Sequence, residues 1–339
     1  MHHQSLKVFL TYTDDEFANF YSEAGLVELQ RHAQVVRNLT GRVLEGRELA
    51  EAAAGCQVIL AHRSAAGLAS TFEHAPELVA FLRGAVDIST IDVSAASLHG
   101  VLVTQASAGF GRAVAEMGLG MMIDLARGIS RVRTAYARQE EPVLAKGLQL
   151  NACTVGIVGY GRIGQHLADI AGAIGMQVRV FDPYFPQDQL GAMAVSFDEL
   201  LRVSDFVVCL AVASPETANL MNASAFSCMR KGASFINLSR GELVDEDALE
   251  AALDAGHLRG AGLDVGRAQD QKPSVRFVGR PDVVLMPHVG GMTVQAREHQ
   301  TMDTVRQVAA LAAGRMPEGA VNAAAAYRLN QFLKQVSTQ

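Results

Sequence analysis

Three glycines stand at chemically suggestive spacing in Val155-Gly156-Ile157-Val158-Gly159-Tyr160-Gly161-Arg162-Ile163-Gly164. A lone GxGxxG is weak evidence, but this one follows an apolar run and opens a helix pattern over residues 166–174. A second strand pattern then ends in Asp182, 182 − 164 = 18 residues beyond the last glycine, close to the ~20 of a ribose-binding acid. Gly159 would permit a tight turn, Gly161 a close approach of backbone to a pyrophosphate, and Gly164 close packing of helix on strand. The helix N-terminus offers free N–H groups and a partial positive charge to phosphates. Gly159, Tyr160, Gly161, Arg162, Ile163 and Gly164 are thus the candidate phosphate loop. Asp182 would accept from ribose hydroxyls and repel a 2′-phosphate, which favours NAD over NADP. The competing reading is a glycine turn in a nucleotide-free protein, with Asp182 capping a turn before Pro183.

Two further side chains follow apolar runs. Arg240 lies just beyond the strand pattern 234–238, at a carboxyl end, where doubly wound sheets bind ligands. A guanidinium is always charged and donates a planar pair of hydrogen bonds to a carboxylate or keto oxygen. His288 follows the strand pattern 283–286 and Pro287, and leads into Gly290-Gly291. Imidazole titrates near neutral pH, so it can give a proton to a keto oxygen or take one from a hydroxyl. The plain alternatives are a surface ion-pair arginine and a structural histidine, one of ten in the chain.

The elements that must position these groups form two series. In the first, strands are expected at 7–11, 33–37, 58–61, 78–82 and 101–103, with helices at 15–31 and 48–54. In the second they are expected at 154–158, 177–181, 206–210, 234–238, 260–265 and 283–286, six strands being the count of a doubly wound dinucleotide fold. Alternation of strand and helix implies parallel sheets covered on both faces. Residues 112–129 read as a helix apolar almost all round, interrupted by Glu116 and Asp124, hence buried in a core or at a subunit interface. The tail from 295 to about 313 is helical again, and 323–326 is an alanine run at a fraying end.

The 339 residues, 49% hydrophobic and 19% charged, are enough for two domains and exclude a disordered chain. With 29 basic and 35 acidic side chains the net charge is −6, and no dense Lys/Arg run suggests a nucleic-acid face. Cys56, Cys153, Cys209 and Cys228 form no CxxC pair. They read as thiols of a reducing, cytoplasmic compartment and not as metal ligands; no metal is expected. No apolar run approaches the ~18 residues of a membrane span, and the opening Met1-His2-His3-Gln4 is polar, without a secretory pattern.

Three stretches go further: 237–245 (Asn-Leu-Ser-Arg-Gly-Glu-Leu-Val-Asp), 262–265 (Gly-Leu-Asp-Val) and 286–293 (Met-Pro-His-Val-Gly-Gly-Met-Thr). With the glycine loop they resemble the D-isomer-specific 2-hydroxyacid dehydrogenases, which include phosphoglycerate, glycerate and D-lactate dehydrogenases. The resemblance implies an α/β fold in which a doubly wound Rossmann domain, 105–294, is inserted into a flavodoxin-like substrate domain, 1–104 plus 295–339. It implies an active site in the cleft between them, dimerisation through the nucleotide domain, and hydride transfer between NAD and a small D-2-hydroxy acid or 2-oxo acid. Arg240 and His288 would be catalytic and touch substrate. Asp264 would bind the nicotinamide carboxamide, or else be a buried acid capping a turn. Leu238 would offer its backbone near the nicotinamide ribose, and Thr217 and Gly290 would border the cofactor. Arg63, Ser64, Arg83 and Gly84 are candidate substrate contacts, with a solvated arginine the alternative for Arg63 and Arg83.

One departure bears on mechanism. The family places a Glu five residues after the Asp of the Asp-Val pair, where it supports the histidine. Here 264 + 5 = 269 is Gln269, with Asp270 next and proline only at Pro273. Three readings stay open: Gln269 is the partner of His288, as in formate dehydrogenase; Asp270 takes the role through a changed loop; or turnover is weak and the protein senses NAD(H).

Overall fold

The computed structural model describes residues 6–337; the polar opening at 1–4 lies outside them. The chain divides into two compact units, one made of 1–109 and 294–339, the other of 110–293.

In the first unit β1 (Lys7–Leu10), β2 (Gln34–Arg37), β3 (Val58–Ala61), β4 (Ala80–Arg83) and β5 (Leu102–Gln105) form a wholly parallel sheet. Its order, β2-β1-β3-β4-β5, is that of flavodoxin-like folds. The central strands β3 and β4 are buried at every position, which is why they read as unbroken apolar runs. The expected helix at 15–31 is two helices, Asp14–Phe20 and Glu23–Gln30. Ser22 restarts the chain by accepting the Gly25 N–H at 3.0 Å, an N-cap inside the amphipathic pattern. One core lies on each face of the sheet. Val305, Val308 and Leu311 of the helix Val294–Ala312, with Leu329 of Tyr327–Ser337, complete one of them, so the chain's end belongs with its beginning. The alanine run holds only a 3-10 turn, Ala323–Ala325, before the last helix.

The second unit holds β6 (Thr154–Val158), β7 (Gln177–Phe181), β8 (Phe206–Cys209), β9 (Ser234–Asn237), β10 (Gly260–Leu263) and β11 (Val283–Leu285), parallel throughout. The order is β11-β10-β9-β8-β6-β7. Direction of winding reverses between β6 and β8, the switch point at which such sheets open a crevice beyond their carboxyl ends. The helix Gly111–Arg127 packs on Arg162–Ala173 and on β9, β10 and β11. It buries one face, through Val114, Ala115, Met121, Met122 and Ala126, while Ile123 stays exposed. Burial all round, as its composition suggests, is therefore not what this chain alone provides. Among the described residues no helix is long and apolar enough to cross a membrane.

Candidate active site

β6 delivers the chain into the glycine loop, and each glycine is there for a different reason. Gly159 has φ +98°, and a Cβ on it would lie 2.7 Å from the Ala211 backbone nitrogen. A Cβ on Gly164 would lie 2.4 Å from the Gly159 carbonyl oxygen. A Cβ on Gly161 would meet no protein atom within 4 Å, so packing within the chain does not require a glycine there. The helix Arg162–Ala173 starts immediately afterwards with no side chain capping its first N–H groups. An open approach and uncapped helix N–H groups fit a pyrophosphate.

Asp182 ends the next strand and holds the loop. Its Oδ2 accepts the Tyr160 N–H at 2.7 Å, and its Oδ1 accepts the N–H groups of Tyr184 at 2.9 Å and Phe185 at 3.2 Å. A carboxylate offers about four acceptor sites, so turn capping leaves room for a ribose hydroxyl, and both readings of Asp182 are compatible. A cavity of about 530 Å³ beside it is lined by Gln187, Ser196 and Glu199 as well. Thr217 is otherwise engaged. Its hydroxyl donates to the Val212 carbonyl at 2.7 Å and accepts the Ser214 N–H at 2.8 Å, which shapes its own loop. Leu238 is buried just past β9.

Beyond β9, Asn237 builds the turn that carries Arg240. The Asn237 Nδ2 donates to the Arg240 carbonyl at 2.9 Å and its Oδ1 accepts the Ser239 N–H at 3.1 Å. Ser239 is tied to the Ala211 carbonyl. The Arg240 side chain is exposed; one Nη donates to the Ser239 carbonyl at 2.8 Å.

Beyond β11, His288 is half-buried and has φ +60°. Asp264 holds it there. The His288 N–H donates to the Asp264 carbonyl at 2.8 Å, and the Asp264 carboxylate accepts the N–H groups of Val289 at 2.8 Å and Gly290 at 2.9 Å. Asp264 is 3% exposed. The geometry displays the turn-capping role, and a Cβ on Gly290 would lie 2.8 Å from that carboxylate.

The structure gives His288 a partner that none of the three readings named. Its Nδ1 bonds the backbone carbonyl of Asp270 at 2.9 Å. The Asp270 carboxylate is exposed and faces Lys272 Nζ at 3.8 Å. Gln269 is exposed, and its side chain makes no hydrogen bond among the described residues. Counting five residues from Asp264 assumes the family's loop; here the chain instead turns through two left-handed residues, Asp270 and Gln271.

In the first unit, β3 ends at a second polar cluster. The Ser64 hydroxyl donates to Glu16 at 2.5 Å and lies 2.9 Å from His62 Nδ1, which is 3.1 Å from the same carboxylate oxygen. Burial raises the Glu16 carboxyl, but Ser64, the Thr13 N–H and His62 together hold it below its ordinary range. Burial pushes the His62 imidazole down against the pull of Glu16. Arg83 is not the solvated arginine of the alternative reading. Its side chain is 0% exposed and donates to the His62 carbonyl and to Thr90 Oγ1 at 2.9 Å, with burial pushing it down to about 10. It braces the β3 and β4 ends. Gly84 is buried, and a Cβ there would lie 2.3 Å from the Tyr12 hydroxyl. Arg63 is exposed. Sequence reasoning missed Glu16, His62, Tyr12 and Asn237; only Asn237, inside a quoted motif and two residues before a serine N–H, carried a local turn signal.

The family profile "D-isomer specific 2-hydroxyacid dehydrogenase, NAD binding domain" matches residues 119–290. D-3-phosphoglycerate dehydrogenase of Synechocystis sp. is 36% identical over 244 residues, 71% of this chain and 44% of that protein. The chain spans about half the length of the curated relatives it matches. Among solved structures, the TT0316 protein of Thermus thermophilus is 31% identical with TM-score 0.75, covering 93% of this chain and 100% of that one. D-lactate dehydrogenase with NAD+ from Lactobacillus jensenii is 22% identical with TM-score 0.79, covering 93% and 99%, a likeness of fold. With the glycine loop, the Arg240 turn and the His288 turn all carried within the matched stretch, the chain belongs to the D-isomer-specific 2-hydroxyacid dehydrogenase family through its NAD-binding domain.

Proposed function

We propose that this protein is an NAD-dependent oxidoreductase that interconverts a small D-2-hydroxy acid and its 2-oxo acid. One observation carries the reading. An exposed guanidinium and a half-buried imidazole stand on the carboxyl-end loops of β9 and β11, and the loop after β10 is hydrogen-bonded to both turns. NAD, when bound, supplies or accepts the hydride. Arg240 binds and orients the carboxylate or keto oxygen of the substrate. His288 gives a proton to the keto oxygen in reduction and takes it from the hydroxyl in oxidation. Two carboxylates beside the candidate ribose site, Asp182 and Glu199, favour NAD over NADP by repulsion of a 2′-phosphate. Arg63 is the candidate for a second anionic group of the substrate, a phosphate for example, as the names of the phosphoglycerate relatives suggest.

The protein acts as a homodimer through its second unit, a reading supported by apolar side chains left exposed there. Four unpaired cysteines support a reducing, cytoplasmic setting. The test is NADH oxidation against glyoxylate, hydroxypyruvate, 3-phosphohydroxypyruvate, pyruvate and longer 2-oxo acids. Turnover of at least one acid, lost in Arg240→Ala, is expected. Turnover no higher than in Arg240→Ala across the whole panel overturns the proposal.

A further inference from the structure

The loop 266–273 is a tight turn. Gly266 N–H donates to the Gln271 carbonyl at 2.9 Å, Ala268 N–H to Lys272 at 3.0 Å, and Lys272 N–H to Gln269 at 3.3 Å. At its tip Asp270 and Gln271 both have φ +58°. Left-handed backbone disfavours a non-glycine residue by about 1–2 kcal/mol, so two in succession persist only where neighbours hold them. Four of the five non-glycine residues with positive φ among those described, Asn219, Asp270, Gln271 and His288, lie in or against this loop and its partners, so the strain is local to the site.

The Gln271 side chain is what holds the tip. Its Oε1 accepts the Gly241 N–H at 3.2 Å and its Nε2 donates to Glu242 Oε1 at 2.8 Å. The amide can face only one way, because the Gly241 N–H only donates and an ionised carboxylate only accepts. Glycine makes the approach possible: a Cβ on Gly241 would lie 2.2 Å from the Gly266 carbonyl carbon. Gln271 therefore reaches from the β10 loop to the two residues immediately after Arg240. One residue earlier in the chain, the Asp270 carbonyl meets His288 Nδ1 at 2.9 Å.

We propose that Gln271 is the positioning residue of this site: by anchoring the Asp270–Gln271 turn to Gly241 and Glu242, it aims the Asp270 carbonyl at His288 and fixes the ring relative to the Arg240 turn. A carbonyl oxygen only accepts, so Nδ1 carries the proton and Nε2 is the nitrogen left for proton exchange. The main chain thus supplies the orientation that the family obtains from a glutamate, and supplies it without a full negative charge. The catalytic consequence rests on the dehydrogenase reading; the tautomer does not.

The test is the ring tautomer of His288 in cofactor-free protein carrying 15N-labelled histidine, assigned by loss of the signals in His288→Asn. The native ring is expected as Nδ1–H. Gln271→Ala and Gln271→Met are expected to admit the Nε2–H form, while Gln269→Ala leaves the ring signals in place. Exchanging the pair, Gln271→Glu with Glu242→Gln, keeps a donor facing an acceptor and is expected to restore Nδ1–H even if the single variants fold poorly. With an active 2-oxo acid, Gln271→Met is expected to lower kcat about tenfold to a hundredfold, as small misplacements of reacting groups do, with KM within about twofold. A native Nε2–H ring, or an unchanged ring in Gln271→Met, overturns the proposal. The expected tautomers without turnover on any acid uphold the positioning role and reject the dehydrogenase reading.

Discussion

An ionised carboxyl buried to 3% exposure is unfavourable by several kcal/mol unless N–H groups replace the water it loses. Asp264 receives them from Val289 and Gly290, and its own carbonyl takes the His288 N–H. Three consecutive residues hang on one side chain and its carbonyl, so the left-handed His288 is held from below. Asp264→Asn keeps the shape but turns one acceptor into a donor facing a buried N–H. The expected loss is about 1–3 kcal/mol in urea unfolding, the penalty for a buried group left unpaired; an unchanged midpoint would show that the carboxylate does not carry the turn. At this scale the sequence was half legible. Arg240, His288 and Asp264 were found by motif. The contact of His288 with the Asp270 carbonyl was not legible, because the path of the loop depends on main-chain turns and nothing in Gln-Asp-Gln announces two successive left-handed residues. Partners such as the Asp270 carbonyl have no side-chain identity to read at all.

At the scale of elements the strands were legible to within about two residues: β3, β6 and β7 begin and end where expected, while β4, buried at every position, runs Ala80–Arg83 and not 78–82. Helix ends were less so, since they turn on single capping side chains such as Ser22 and Thr13. The phosphate loop is a case in which an element's three glycines can be told apart. Gly164→Ala forces a methyl against a backbone oxygen that cannot move aside, with an expected loss of about 1–3 kcal/mol. Gly161→Ala meets open space at φ −68°, a conformation alanine tolerates, so its stability is expected to change by no more than about 0.5 kcal/mol. NADH affinity, measured by calorimetry, is expected to fall by about tenfold or more, equivalent to about 1.4 kcal/mol. Undiminished binding by a folded Gly161→Ala would mean that no phosphate approaches this backbone.

For the whole molecule, the surprise for a reader of sequence is how the last 46 residues behave. They belong to the first unit and close it through polar pairs more than 200 residues apart. Gln307 donates to the Gln105 carbonyl at 2.9 Å, and Asn322 accepts the Val103 N–H at 2.8 Å and donates to the Val101 carbonyl at 3.0 Å. Periodicity is blind to such pairing; only the family likeness suggested it. The second unit leaves the opposite kind of surface. After the buried face of Gly111–Arg127, the helix Ile129–Ala137 buries none of its residues, and Ile129, Tyr136, Val143 (78%) and Leu144 (86%) stand exposed close together in sequence. A soluble monomer rarely keeps so many large apolar groups in water, and a second copy of this unit is the occupant we propose. Light scattering is expected to give twice the chain mass, 36.1 kDa, and Tyr136→Glu with Leu144→Glu is expected to give the single mass with the fold intact. Should the unaltered protein run as a monomer at micromolar concentration, this surface must serve something else. Should the double variant remain a dimer, the contact lies elsewhere on the chain.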